Sequence, residues 1–224
     1  MEGIIYDPTK IDLKIAKEAV DICYTPIIQS GGVYDIRVSA VCNNDYLTSD
    51  VIICSLGARY KNYCGNISRT FMVDPCSKIE NTYSLLLALY DACLGKCVPG
   101  NTFKSVYEEA ISFLNKKDPT LVPHLPKNFG FATGLEFRDS TMVLNATNQN
   151  IFKAGTVLNL AVGLHNVALT ASDTEKSPES IKKLTAFSML LADIIAIKDD
   201  GPADILTKCS KDFTNVSYNL ADVS

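Results

Sequence analysis

The stretch VIICSLGARYKNYCGNISRTF, residues 51–71, constrains the fold of this chain more than any other. An apolar, β-branched run from Val51 to Cys54 leads into Ser55. A bend containing Gly57 follows, and a second extended run closes on Arg69, Thr70 and Phe71. Two such runs joined by a bend read as a β-hairpin. Ser55 and Asn66 are the polar side chains best placed to share one of its faces, and neither carries a charge. A hairpin framed to hold a site, yet neutral at its centre, needs an explanation from the rest of the chain.

The 224 residues are 47% hydrophobic and 21% charged. That supports one large domain or two small ones with a real core, and argues against disorder. The net charge of −4 disfavours binding to a phosphate backbone, which needs clustered Lys and Arg, and tolerates a basic protein partner. No run is apolar enough to span a membrane, and no signal peptide is visible. The eight cysteines include no CxxC pair, and with two histidines the spacing of a Cys/His zinc site is absent. Reduced thiols in an intracellular protein are the simplest account; the sequons at Asn66, Asn145 and Asn215 are then unused.

Apolar spacing over residues 11–24 predicts a helix. Pro26 and the Gly31-Gly32 pair break the next segment into extended pieces and a turn. Ser77 and Glu80 form a capping-box pattern that starts a long helix stopped at Pro99-Gly100, with Cys93 and Cys97 on one of its faces. Thr102 caps a second helix, which ends near Asp118-Pro119. Runs at 141–145, 155–164 and 185–197 predict strands, the last two flanking a polar connection that reads as a solvated hairpin loop. A turn at 198–203 precedes a last pair of short strands. The order of elements predicts a single α+β domain with a mostly antiparallel sheet.

Three segments then carry a resemblance: the hairpin itself, GFATGLEFRDS at 130–140 and GTVLNLAVGLHNV at 155–167. Their order and spacing resemble the pita-bread metallopeptidases, a family that includes methionine aminopeptidase, prolidase and creatinase. FSMLLADIIAI at 187–197 resembles the closing strand of that family. The resemblance implies a curved, mostly antiparallel sheet covered by helices. It also implies five positions where the enzymes hold two divalent metals. The two aspartates fall on Ser55 and Asn66, eleven residues apart as in the enzymes. The histidine falls on Phe131, and the two glutamates on Ala161 and Ala192. A substrate-binding histidine falls on Arg138. Hard divalent cations need anionic oxygen ligands, so the resemblance implies no metal, no cofactor and no catalytic residue.

PIIQSGG, IICSLGARYKNYC, GLEFRDS and KDDGPADILT narrow the resemblance to the peptidase-like N-terminal region of the large subunit of FACT, a nucleosome-reorganising histone chaperone. In that family the region is a catalytically dead aminopeptidase fold. It carries a further N-terminal lobe and is followed by other modules, so residues 1–224 are expected to be one peptidase-like lobe of a larger chain. Residues 1–10 differ most and are expected to be flexible or foreign to that lobe. The implied partners are core histones and, through other modules, an HMG-type small subunit. The implied setting is nuclear chromatin during transcription, replication and repair, with no direct DNA binding by this lobe and a monomeric state.

Two surfaces are candidates for contacts. One is the acidic set Asp173, Glu175, Glu179, Asp199 and Asp200. The other is the pocket where Ser55, Asn66, Phe131, Glu136, Arg138, Ala161 and Ala192 are expected to converge, either repacked shut or open to a peptide. Glu136 and Arg138 sit two apart on a strand-like run and are expected on one face, paired inside the pocket or holding a peptide terminus. The competing reading is a peptide-binding or hydrolytic enzyme with metal-independent chemistry, in which Cys54, Ser55 or Cys64 pairs with His165.

Overall fold

The structure, a computed structural model, describes residues 2–37, 39–42 and 45–220. The hairpin is its centre. Strand β2 (Val51–Tyr60) runs antiparallel to β3 (Tyr63–Val73) in unbroken register from Val51 opposite Met72 to Tyr60 opposite Tyr63. The turn lies at Lys61-Asn62 rather than at Gly57, with φ of 46° and 67°. Two residues with positive φ match the right-handed twist of the strands they join.

Outside β2 lies β1 (Val20–Gln29), paired antiparallel with it. The helix expected over 11–24 is therefore absent: a short 3-10 turn at Lys17–Ala19 leads directly into this strand. Val20, Ile22 and Tyr24 also alternate, and pairing with a preformed hairpin overrides a weak helical spacing. Pro26 is tolerated because it falls where the β1–β2 register shifts, between Tyr24 and Ile27. The Gly31-Gly32 turn is present, with φ of 80° and 84°. Ahead of β1, helix α1 (Glu2–Ile5) buries Ile5; Met1 of the 1–10 segment lies outside the described residues.

Helices α2 (Ser77–Lys96) and α3 (Phe103–Lys117) follow. The cap of α2 is Cys76 rather than Ser77, and no side chain caps it. Ser77 is already the first helical residue, one position too late for its hydroxyl to close a capping box. Thr102 caps α3, its hydroxyl accepting from Ser105 N at 3.3 Å. Cys93 and Cys97 are fully buried on α2, and all eight cysteines are free thiols.

Strand β4 (Asn128–Ala132), unforeseen in the sequence, pairs with β5 (Val143–Asn145) and with β6 (Val157–Ala168). Strand β6 pairs antiparallel with β7 (Ala186–Ala196), and the connection between them carries the one-turn helix α4 (Glu179–Lys182). That connection is not wholly solvated, since Ile181 and Leu184 are buried. The final pair of short strands, β8 (Asp204–Ile205) and β9 (Ser217–Tyr218), flank helix α5 (Phe213–Val216) and join β7 and β3 respectively rather than each other. Among the described residues the sheet runs β1-β2-β3-β7-β6-β4-β5. It is an α+β fold with a large, mainly antiparallel sheet, as expected.

Side chains alternate across β6. Leu158, Leu160 and Val162 join Tyr83, Leu86, Leu89 and Phe103 of the helices in the main core. Asn159 and Ala161 turn to the other face, where the candidate site lies.

Candidate functional site

Register brings the site together. Ser55 lies opposite Ser68, Ser68 opposite Ala192, and Ala192 opposite Ala161. These four form one row across β2, β3, β7 and β6. Beside it, Asn66 lies opposite Gly57, and Asn159 lies opposite both Phe131 and Ile194. Ser55, Asn66, Ala161 and Ala192 thus line one small hollow of about 40 Å3. Ala192 is fully buried, while Ala161 is half-buried.

Every polar group of this row is satisfied by another neutral group. The Ser55 and Ser68 hydroxyls are 2.7 Å apart. The Tyr24 hydroxyl donates to Asn66 Oδ1, and Asn66 Nδ2 donates to Asn159 Oδ1 at 3.1 Å. Gly57 makes room for this: a Cβ there would lie 2.4 Å from the Tyr24 ring. Burial pushes the Tyr24 hydroxyl above its ordinary pKa, so it stays a donor. Tyr24, Ser68 and Asn159 were missed in the sequence. Their signal was the period of two, because Ser68 follows Asn66 by two and Asn159 precedes Ala161 by two.

The other expected residues lie further out. Phe131 is buried, packed edge-on against Phe137 with ring centroids 5.4 Å apart. The Arg138 guanidinium sits over the Phe131 ring at 5.7 Å. Phe131, Arg138 and Ala161 border a second cleft of about 700 Å3, which Tyr34, Arg37 and Lys127 also line. Glu136 belongs to neither hollow: it is exposed, and residues 133–140 form bends rather than a strand. Gly134 N donates to Glu136 O at 3.0 Å, so the backbone doubles back and the two-residue alternation expected of Glu136 and Arg138 does not apply.

This donor set does not suit a divalent cation. The three hydroxyls of Ser55, Ser68 and Tyr24 and the two amides of Asn66 and Asn159 are neutral, and Phe131, Ala161 and Ala192 offer no donor atom. Among the described residues no group of three or more His, Cys, Asp or Glu is placed to hold a metal ion. The nucleophile pairings also fail. His165 Nε2 is engaged with Tyr34 O at 3.1 Å, Ser55 with Ser68 and Cys64 Sγ with Leu135 O at 3.8 Å, and burial pushes the Cys54 thiol up, away from the reactive thiolate.

Behind the row, the Arg-Thr-Phe end of the hairpin holds the sheet halves together. Strands β3 and β7 share a single backbone register pair, Ser68 with Ala192. Side chains supply the rest. Thr70 Oγ1 donates to Leu190 O at 3.0 Å and accepts from Leu190 N at 2.8 Å. Arg69 donates to Ala192 O at 2.9 Å and to the fully buried Asp193 at 2.6 Å. Asp193 also accepts from Thr207 at 2.7 Å and Lys211 at 3.1 Å, tying the C-terminal segment to the sheet.

Residues 9–199 match metallopeptidase family M24. The chain belongs to this family. Over 218 residues it is 41% identical to FACT complex subunit SPT16 of Dictyostelium discoideum, covering 97% of this chain and 20% of that protein. It superposes on the N-terminal domain of FACT complex subunit SPT16 from Cicer arietinum with a TM-score of 0.87 and 41% identity, covering 97% of this chain and 50% of that one. It is thus homologous to SPT16, and spans about a fifth of the curated relatives and half of the solved domain. The X-Pro aminopeptidase of Thermotoga maritima, at 19% identity and a TM-score of 0.69 over 89% of this chain, shares the M24 pita-bread fold.

Proposed function

We propose that this M24 chain is a non-catalytic lobe of a FACT-type histone chaperone, contacting core histones and contributing to nucleosome reorganisation in nuclear chromatin. The HMG-type small subunit would be held by modules outside residues 1–224. One observation carries the reading. The chain resembles SPT16 over 97% of its length, while the row to which the resemblance assigns the metal ligands is closed by neutral side chains that bond one another. A surface of acidic sign supports it: a groove of about 620 Å3 at the start of α2 is bordered by Asp74, Glu175 and Asp173, the last paired with Lys78 at 3.0 Å, against Lys176. Asp199 and Asp200 are exposed on a separate turn.

The test titrates the protein with purified core histones at about 0.05 M and about 0.15 M salt, conditions that differ in screening length. The expected result is saturable binding that survives the higher salt and weakens in Asp173→Lys/Glu175→Lys. Binding confined to the lower salt, or none, overturns the histone assignment. Metal-dependent cleavage of an X-Pro dipeptide overturns the non-catalytic one.

A further inference from the structure

The cleft of about 700 Å3 has a charge opposite to that of the protein as a whole. Its charged lining residues are Arg37, Lys127 and Arg138 against the single carboxylate of Asp35, with His124 and His165 also present. Asp35 is already neutralised, accepting from Arg37 Nη2 at 2.6 Å. Lys127 and Arg138 are exposed, and among the described residues no carboxylate lies within ion-pair distance of either. Arg138 is exposed, with its guanidinium 5.7 Å over the Phe131 ring, and the guanidinium carries five N–H donors. Between the charges, Ile36, Leu125 and Pro126 give the wall an apolar stretch. The volume is that of a ligand or short-peptide site.

We propose that this cleft binds an acidic peptide segment of a partner protein, its carboxylates on Lys127 and Arg138 and its apolar residues against Ile36, Leu125 and Pro126. A basic segment would meet two unpaired cations here and no free acid, so the cleft selects against histone tails as much as it selects for acidic chains. The inference stands apart from the histone reading, which concerns the acidic groove beside α2.

The probe is a fluorescein-labelled octapeptide of alternating glutamate and leucine, followed by anisotropy against the 224-residue protein. Saturable binding is expected, weaker at about 0.15 M than at about 0.05 M salt. Lys127→Glu/Arg138→Glu should weaken it at least about tenfold with unchanged melting, since both side chains are exposed. Asp173→Lys in the other groove should leave it unchanged. No saturation by millimolar protein, equal binding of the glutamine-leucine analogue, indifference to the double variant, or equal competition by a single-stranded oligonucleotide each overturns the proposal. The histone titration can fail without touching any of these results.

Discussion

Replacing Asp193 by Ala tests whether the charged cluster behind the site row holds the two halves of the sheet together. Asp193 is fully buried and accepts from Arg69, Thr207 and Lys211. Arg69 is only 3% exposed, so the variant leaves a guanidinium in the interior with no counter-charge. Removing one partner of a buried pair costs about 3–5 kcal/mol. Arg69 keeps its bonds to Ser68 O, Ala192 O and Cys209 O, and Lys211 can turn towards solvent, so the low end applies. A domain of this size loses roughly 2–4 °C per kcal/mol, giving a fall in Tm of about 10 °C by calorimetry. The segment around Thr207 to Lys211 should also gain faster amide exchange, because two of its tethers end on Asp193. The double variant Arg69→Met/Asp193→Leu should recover part of the loss, since it leaves no unpaired charge. A Tm within about 2 °C of the parent for Asp193→Ala, or a double variant no better than the single one, would refute the argument.

Gly130→Ala should cost at least about 3 kcal/mol in urea unfolding, because φ is +123° and the new Cβ would lie 1.8 Å from the Asn159 carbonyl oxygen. Ala192→Glu should lower stability by a few kcal/mol, with a Tm drop to match, because it puts an unpaired carboxylate into a hollow of about 40 Å3. Ser55→Asp/Asn66→Asp should remain without metal-dependent dipeptide cleavage at added Mn2+ or Co2+, since Phe131, Ala161 and Ala192 still supply no ligand; measured turnover would show that the ligand register is wrong. Asp173 is held at about 2 by bonds from Thr170 and Lys78, below the unfolded value of 3.8. Its contribution is therefore present above pH 3.8 and lost as pH falls through about 2, so Asp173→Asn should flatten the acid limb of a stability–pH profile over that window.

What could be read in advance followed from patterns that are local. Helix α3 was bounded correctly because Thr102 and Asp118-Pro119 act at its ends through their own backbones. The hairpin and the β6–β7 pair were visible as β-branched runs. Strand β1 was misread because its extended form is imposed by β2, whose paired residues lie 24 to 40 positions further along the sequence, and not by its own spacing. Strand β4 is short, contains Gly130 at positive φ, and is held in place by β5 and β6 on either side. Glu136 was misplaced for the same reason: an alternation argument holds only where the backbone is a strand, and hydrogen bonds from Gly134 and Asp139 fold this segment back on itself.

The site row shows how backbone register fixes the geometry of a site whatever the chemistry of its side chains. Its position depends on backbone register, Ser55 with Ser68, Ser68 with Ala192 and Ala192 with Ala161, and register is indifferent to what the side chains can ligate. Carboxylates crowded into such a row repel one another unless a cation lies between them, which ties the stability of an enzyme's sheet to its metal. Hydroxyls and amides do not. The Ser55–Ser68 contact and the Tyr24–Asn66–Asn159 chain close the row on themselves, and Arg69 and Thr70 carry the cross-sheet bonding through their side chains. A neutral hairpin therefore needs no cation to hold its row of side chains together. In the outer cleft Arg138 stands where the resemblance implies a substrate-binding histidine, and it adds a positive charge to the lining.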